Sequence, residues 1–216
     1  MQINNQYNYN LNFTGYKVAN IKRCVGNNIT SIDIYKLCSE DKSFIEKLLK
    51  KIDYKKLCPQ LKEIEQKRWQ KIFNYCIEQF KEIESKTYLA VSDSKPCGIL
   101  TFSGNKDLHL DGICSIPYQE GKKVPFVGKS LFLQLFKTAN ESQTKSIKLE
   151  AVTDGPYDVI KKYKDLGFKQ NGCSTIGYVE MSSNKYNIAK QETTLSREFE
   201  YTRISPLKVD LNRFID

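Results

Sequence analysis

One histidine, one tryptophan, two methionines and no Cys-x-x-Cys pair in 216 residues remove several classes of protein at the outset. A structural zinc site needs four nitrogen or sulfur ligands, usually in closely spaced pairs, and only His109 is available to join the seven cysteines, so no metal site is expected. No run of about 18 apolar residues occurs and the mean hydropathy is −0.52, which excludes a membrane-spanning helix. The first ten residues, MQINNQYNYN, lack both the charged region and the apolar stretch of a secretory signal. The expected compartment is therefore the cytoplasm, with cysteines acting as small buried hydrophobes. Arginine is scarce as well. Only Arg23, Arg68, Arg197, Arg203 and Arg213 stand among 34 basic side chains, whereas bidentate reading of DNA bases favours arginine, so sequence-specific DNA binding is disfavoured.

What the chain has is enough apolar surface for a packed domain: 40% hydrophobic residues and 12% aromatic. Its length suits one elaborated domain spanning residues 1–216. A net charge of +9 points to an anionic partner such as a phosphate-bearing cofactor or, as an alternative, a nucleic acid such as tRNA held by the N-terminal third. Most of the excess lies in residues 1–86, where lysines on a long helix also fit a solvated face.

Residues 1–40 form a strand-rich extension, with strands expected at 16–21 and 29–35 around a turn at Gly26-Asn27-Asn28. Residues 41–86 read as helical. Ser43 and Glu46 stand in a capping-box relation ahead of one short helix, and a longer one from about 60 to 86 carries Leu61, Ile64, Trp69, Phe73, Ile77, Phe80 and Ile83 on one stripe. Trp69 is expected in the core. From 87 onward three strand candidates follow in a meander, then a loop from Pro117 to Pro125, a helix from about Phe126, a strand at 146–152, a helix ending at Leu166, and strands near 168 and 176–181. Residues 183–216 show no strong period and form a C-terminal tail, with one further strand readable from Phe199. The order predicts an α/β (α+β) domain with a mixed, largely antiparallel sheet of about seven strands flanked by helices.

Gly128-Lys129-Ser130 looks like the end of a phosphate-binding P-loop, but the first glycine of that motif would fall at Lys123. What remains is a lysine-bearing loop running into a helix start, where unpaired N–H groups and the positive end of the dipole favour a pyrophosphate. Taken with Ile113-Cys-Ser-Ile-Pro117, Val127-Gly-Lys-Ser-Leu131, Leu149-Glu-Ala-Val152 and the helix ending Tyr163-Lys-Asp-Leu-Gly-Phe168, residues 87–182 resemble the GNAT superfamily of acyl-CoA N-acyltransferases. The four segments correspond to the family's fourth strand, third helix, fifth strand and the end of its fourth helix.

This resemblance implies that residues 87–182 are an acyl-CoA-binding core with acetyl-CoA as co-substrate, acetyl passing to a primary amine of a small molecule or peptide in a ternary complex. It places the pantetheine arm along Ile113, Cys114 and Ser115, and the pyrophosphate on Lys122, Lys123, Val124, Phe126, Val127, Gly128, Lys129 and Ser130. Phe126 departs from the family pattern, which has glycine there; with a negative φ its N–H would still donate, though its Cβ hinders close approach. The alternative is a GNAT-fold protein with lost or altered CoA binding that serves as an interaction module. For the base that deprotonates the amine, His109 lies six residues before Ser115, where histone-acetylating members carry a glutamate. By the period of two, His109, Asp111, Ile113 and Ser115 share one strand face. Asp111 and Glu150 are the further base candidates, each also readable as a surface carboxylate, and His109 as a strand histidine without a chemical role. Tyr163 occupies the position from which the family protonates the departing thiolate, with packing under the sheet as its other reading.

Overall fold

The computed structural model describes residues 15–117, 123–153, 158–172 and 177–215. A hairpin opens it: β1 (Tyr16–Val25) turns through Gly26, at φ 59°, into β2 (Asn28–Lys36). Three helices follow, α1 (Lys42–Lys51), the single turn α2 (Tyr54–Leu57) and α3 (Glu63–Phe80). A meander of β3 (Lys86–Ser92), β4 (Lys95–Gly104) and β5 (Asp107–Ser115) then leads to α4 (Val127–Glu141) and β6 (Ser146–Val152). The chain continues with α5 (Val159–Asp165), the two-residue β7 (Lys169–Gln170), β8 (Tyr178–Asn184), α6 (Lys185–Glu198) and β9 (Glu200–Lys208).

All nine strands join one mixed sheet in the order β7-β8-β6-β5-β4-β3-β2-β1-β9, against about seven expected. Every pairing is antiparallel except β5 with β6, which α4 connects. The central strands are covered on both faces, so β3 reads as a continuous apolar run. Tyr88 and Ala90 pack with Leu131, Leu135 and Phe136 of α4, while Leu89 and Val91 pack with Phe44, Tyr54, Phe73 and Ile77 of α1–α3. Gly98 on β4 permits the first of these contacts, because a Cβ there would run into the Val127 side chain at the start of α4.

Three helix expectations shift. The first helix begins before Ser43: Asp41 is its N-cap, and the Asp41 carboxylate turns back to accept the Cys38 N–H at 2.7 Å. The long helix is shorter at both ends than residues 60–86. It starts after Lys62, whose N–H donates to the Glu65 carboxylate at 3.0 Å, and it stops at Phe80 because the chain must reverse before β3. Its 18 residues span about 27 Å, and Ile83, although spaced for the stripe, is fully exposed. Finally, residues 183–216 hold a 14-residue helix. Only Ile188 and Leu195 of α6 are buried, two turns apart, which is too sparse a stripe to stand out in the sequence.

Candidate active site

The decisive local feature is a bulge in β5. Register runs Phe102↔Leu110 and then Thr101↔Gly112, leaving Asp111 without a partner on β4. One extra residue reverses the facing of all that follows. Leu108 and Leu110 pack on the α4 side, whereas Cys114 packs on the α3 side and Ile113 on the α4 side. His109, Asp111, Ile113 and Ser115 therefore do not share a face. The first two lie with Ser103 toward α3; the last two line a cavity on the α4 side.

Beyond the bulge β5 and β6 separate. Their parallel pairing covers only Asp107–Leu110 against Ser146–Leu149, while β6 stays with β8 as far as Val152. The wedge between them opens into a cavity of about 480 Å³ bordered by Ile113 and Ser115 of β5, Phe126 and Gly128 at the start of α4, and Tyr163 of α5. Tyr54 of α2 fixes the wedge from the other face, since its hydroxyl donates to the Ser115 carbonyl at 2.6 Å and lies 3.0 Å from the Cys114 sulfur. Cys114 itself is a core thiol, pushed up to about 12 by burial, so its side chain takes no part in lining the cavity.

At the start of α4 no side chain caps the helix, and a Cβ at Gly128 would meet nothing within 4 Å. Open N–H groups beside open space suit a phosphate. Ser130, one turn in, is fully buried, and its hydroxyl has no hydrogen-bond partner among the described residues. Val127 and Val124 pack into the core below. Phe126 has φ 65° and ψ 5°, the left-handed conformation a glycine would adopt, at a cost of roughly 1–2 kcal/mol. The negative φ considered from the sequence does not occur. Ring contacts with Phe199 at 6.2 Å and the Arg23 guanidinium at 4.0 Å offset that strain.

Lys122 lies outside the described residues. Lys123 lays its ammonium 4.4 Å from the centre of the Trp69 ring, and burial lowers its pKa. Trp69, expected in the core, packs against it and also borders the cavity, parallel to Tyr54 at 6.4 Å. Lys129 reaches the Glu198 carboxylate of α6 at 2.7 Å. Tyr163 packs edge-on against Phe132 and Phe168, at 6.0 and 5.9 Å, and burial raises its hydroxyl to about 12. On the α3 face, His109 Nδ1 lies 2.9 Å from Asp111 Oδ1, which also accepts the Ser103 hydroxyl at 3.1 Å. The hydrogen bond to Asp111 raises the His109 pKa above its ordinary value, assisted by the charge of Glu150 and opposed by burial. Asp111 Oδ2 is buried and has no partner among the described residues.

Gly128→Ala is expected to leave the fold intact or stabilise α4 by about 0.5–1 kcal/mol, because alanine is the better helix former and the space above it is open. If that open space receives a ligand phosphate, filling it should weaken the binding of CoA. Parallel thermal melting and ligand titration check it, and unchanged affinity would show that no phosphate sits above Gly128.

No family model and no curated protein matches the chain. Solved structures do. A structure of apo FdhC, a nucleotide-linked sugar GNAT, aligns over 77% of this chain and 94% of its own at 12% identity and a TM-score of 0.52. An aminoglycoside 6'-acetyltransferase type Ii aligns over 70% and 96% at 14% identity and a TM-score of 0.50. Against a nourseothricin acetyltransferase the alignment spans 47% of this chain and 66% of the other, at 22% identity and a TM-score of 0.40. The nine-stranded mixed sheet, the β5 bulge and the wedge beside α4 thus belong to a chain with the acyl-CoA N-acyltransferase (GNAT) fold.

Proposed function

We propose that the protein is an acyl-CoA-dependent N-acyltransferase that moves an acetyl group from acetyl-CoA to a primary amine by direct attack in a ternary complex. The observation that carries this reading is the wedge between β5 and β6, open to a cavity that has Tyr163 on one wall and an uncapped helix start with Gly128 on another. The residues fit the donor: an apolar slot for the pantetheine arm along Ile113, and N–H groups with room above them for phosphates. When bound, acetyl-CoA supplies an activated thioester carbonyl.

The protein's own groups then have two tasks. An amine near pKa 10.4 must lose a proton before attack, at a cost of roughly 4.6 kcal/mol at pH 7 without help. His109 is the base, with Asp111 accepting its Nδ1–H so that Nε2 keeps the free lone pair. On the other side, Tyr163 faces the leaving sulfur. A hydroxyl raised to about 12 stays protonated at any working pH, but full transfer to an ordinary thiolate near 8.5 is uphill by about 3.5 units. Tyr163 therefore acts first as a hydrogen-bond donor to developing charge, and desolvation of the sulfur in the same cavity narrows the remaining gap.

The acceptor is a small molecule or peptide bearing a primary amine; neighbours of the same fold act on aminoglycosides and on nucleotide-linked sugars, and both belong in a first acceptor panel. The rival reading, an interaction module without CoA, draws on Phe126 in place of glycine and on the carboxylate of Glu198 in the cavity wall. Calorimetric titration with acetyl-CoA decides between them. Saturable binding at one site per chain is expected, and its absence at millimolar ligand would end the enzyme reading.

A further inference from the structure

At the start of α4, charges from three distant parts of the chain meet on two aromatic rings. Arg23 of β1 places its guanidinium carbon 4.0 Å from the centre of Phe126 and 5.2 Å from that of Phe199. One carboxylate oxygen of Glu198, at the end of α6, lies 2.7 Å from Lys129 Nζ and 3.4 Å from Arg23 Nη1. Phe126, Lys129 and Glu198 all border the cavity beside the open space above Gly128. Two cations thus share one oxygen of a cavity-wall carboxylate, next to a helix start that no side chain caps; Lys129 borders the cavity itself, and Arg23 contacts two of its wall residues, Phe126 and Glu198.

A guanidinium held over aromatic rings loses much of its freedom, and a restrained planar fork suits a phosphate group. Phe126 supplies one of those rings from the position where the family pattern has glycine, and its left-handed backbone keeps the track a glycine would give. Glu198 occupies the cations in the absence of ligand. We infer that Arg23 and Lys129 are the phosphate-binding pair of this cavity, and that Glu198 is a resident carboxylate which the diphosphate of the donor displaces; naming the donor rests on the acyl-CoA reading above, whereas the phosphate site does not. Phe126 is then a positioning residue for Arg23, and the departure from glycine exchanges backbone access for an arginine brought from β1.

Isothermal titration of the full chain with inorganic pyrophosphate at low ionic strength, where exposed charges are least screened, tests the pair without reference to CoA. Glu198→Gln keeps the side chain's size and removes its charge. Pyrophosphate is expected to bind that variant about tenfold more tightly than the unsubstituted chain, and Arg23→Gln in the same background should reverse the gain. Equal affinity with and without Glu198→Gln, or no binding to either, overturns the proposal. If Glu198→Gln fails to fold, Arg23→Gln alone still decides: it should weaken CoA about tenfold while leaving pantetheine, which has no phosphate, unchanged. Equal weakening of both ligands overturns the proposal. Pyrophosphate binding in the expected order with no binding of CoA or pantetheine would uphold the phosphate pair and remove the acyl-CoA reading.

Discussion

Replacing Tyr163 by phenylalanine is expected to slow acyl transfer by about 10²- to 10³-fold, the range for losing one donor to developing negative charge in a closed site. The ring keeps its edge-on contacts with Phe132 and Phe168, so the melting temperature should hardly move. The hydroxyl makes no hydrogen bond to the described residues, and acetyl-CoA affinity should hold as well. A fall in kcat with KM nearly constant separates this outcome from a packing defect, which would lower stability and affinity together. The burial that lifts the phenol to about 12 also fixes its pH behaviour: Tyr163 remains protonated below that value, so no falling limb attributable to it should appear between pH 7 and 10. Full activity in the phenylalanine variant would take Tyr163 out of the mechanism and leave the Tyr-x-x-Leu-Gly-Phe ending as architecture, with Gly167 at φ 81° closing α5.

The parts of this fold that periodicity carries were legible in the sequence. The β1–β2 hairpin, the meander through β5 and the crossover by α4 each show apolar spacing or turn residues of their own. What escaped depends on contacts between distant segments. Asp111 is an ordinary aspartate in an alternating strand until the register with Thr101 and Phe102 is known, and one unmatched residue moves Ile113 and Ser115 to the other face. Tyr54 looks like any aromatic at a helix start, yet its hydroxyl pins the end of β5. Arg23 and Glu198 are 175 residues apart in the chain, and no local spacing relates them; they meet because β9 returns to pair with β1 and brings the end of α6 alongside. Phe126 is a different case. From the sequence a negative φ enters only as the condition under which its N–H would still donate, and the ring contacts that stabilise a positive φ cannot be read from the residue itself.

Because of the bulge, His109, the base in the proposed mechanism, and the cavity proposed for the donor lie on opposite faces of β5, so an acceptor amine approaching from the α3 side would meet His109 without crossing the donor. His109→Gln should then reduce kcat by about 10²- to 10⁴-fold with the acetyl-CoA constant unchanged. The pH dependence carries the finer test. Neutral imidazole is the active form, so the rate of the unsubstituted chain should rise with pH through the His109 pKa, which Asp111 holds above its ordinary value of 6.5. Asp111→Asn removes the main cause of that elevation. Its rising limb should move to lower pH, while its plateau drops because the amide no longer fixes the Nδ1–H tautomer. Stability follows the same linkage: the folded-state pKa is raised, so the His109–Asp111 contribution is fully present below pH 6.5 and is lost as pH rises through the folded pKa. Thermal melts of Asp111→Asn should lack that loss. A rate profile that keeps its midpoint in the asparagine variant would show that Asp111 does not tune His109, and full activity of His109→Gln would transfer the search for the base to Asp111 and Glu150.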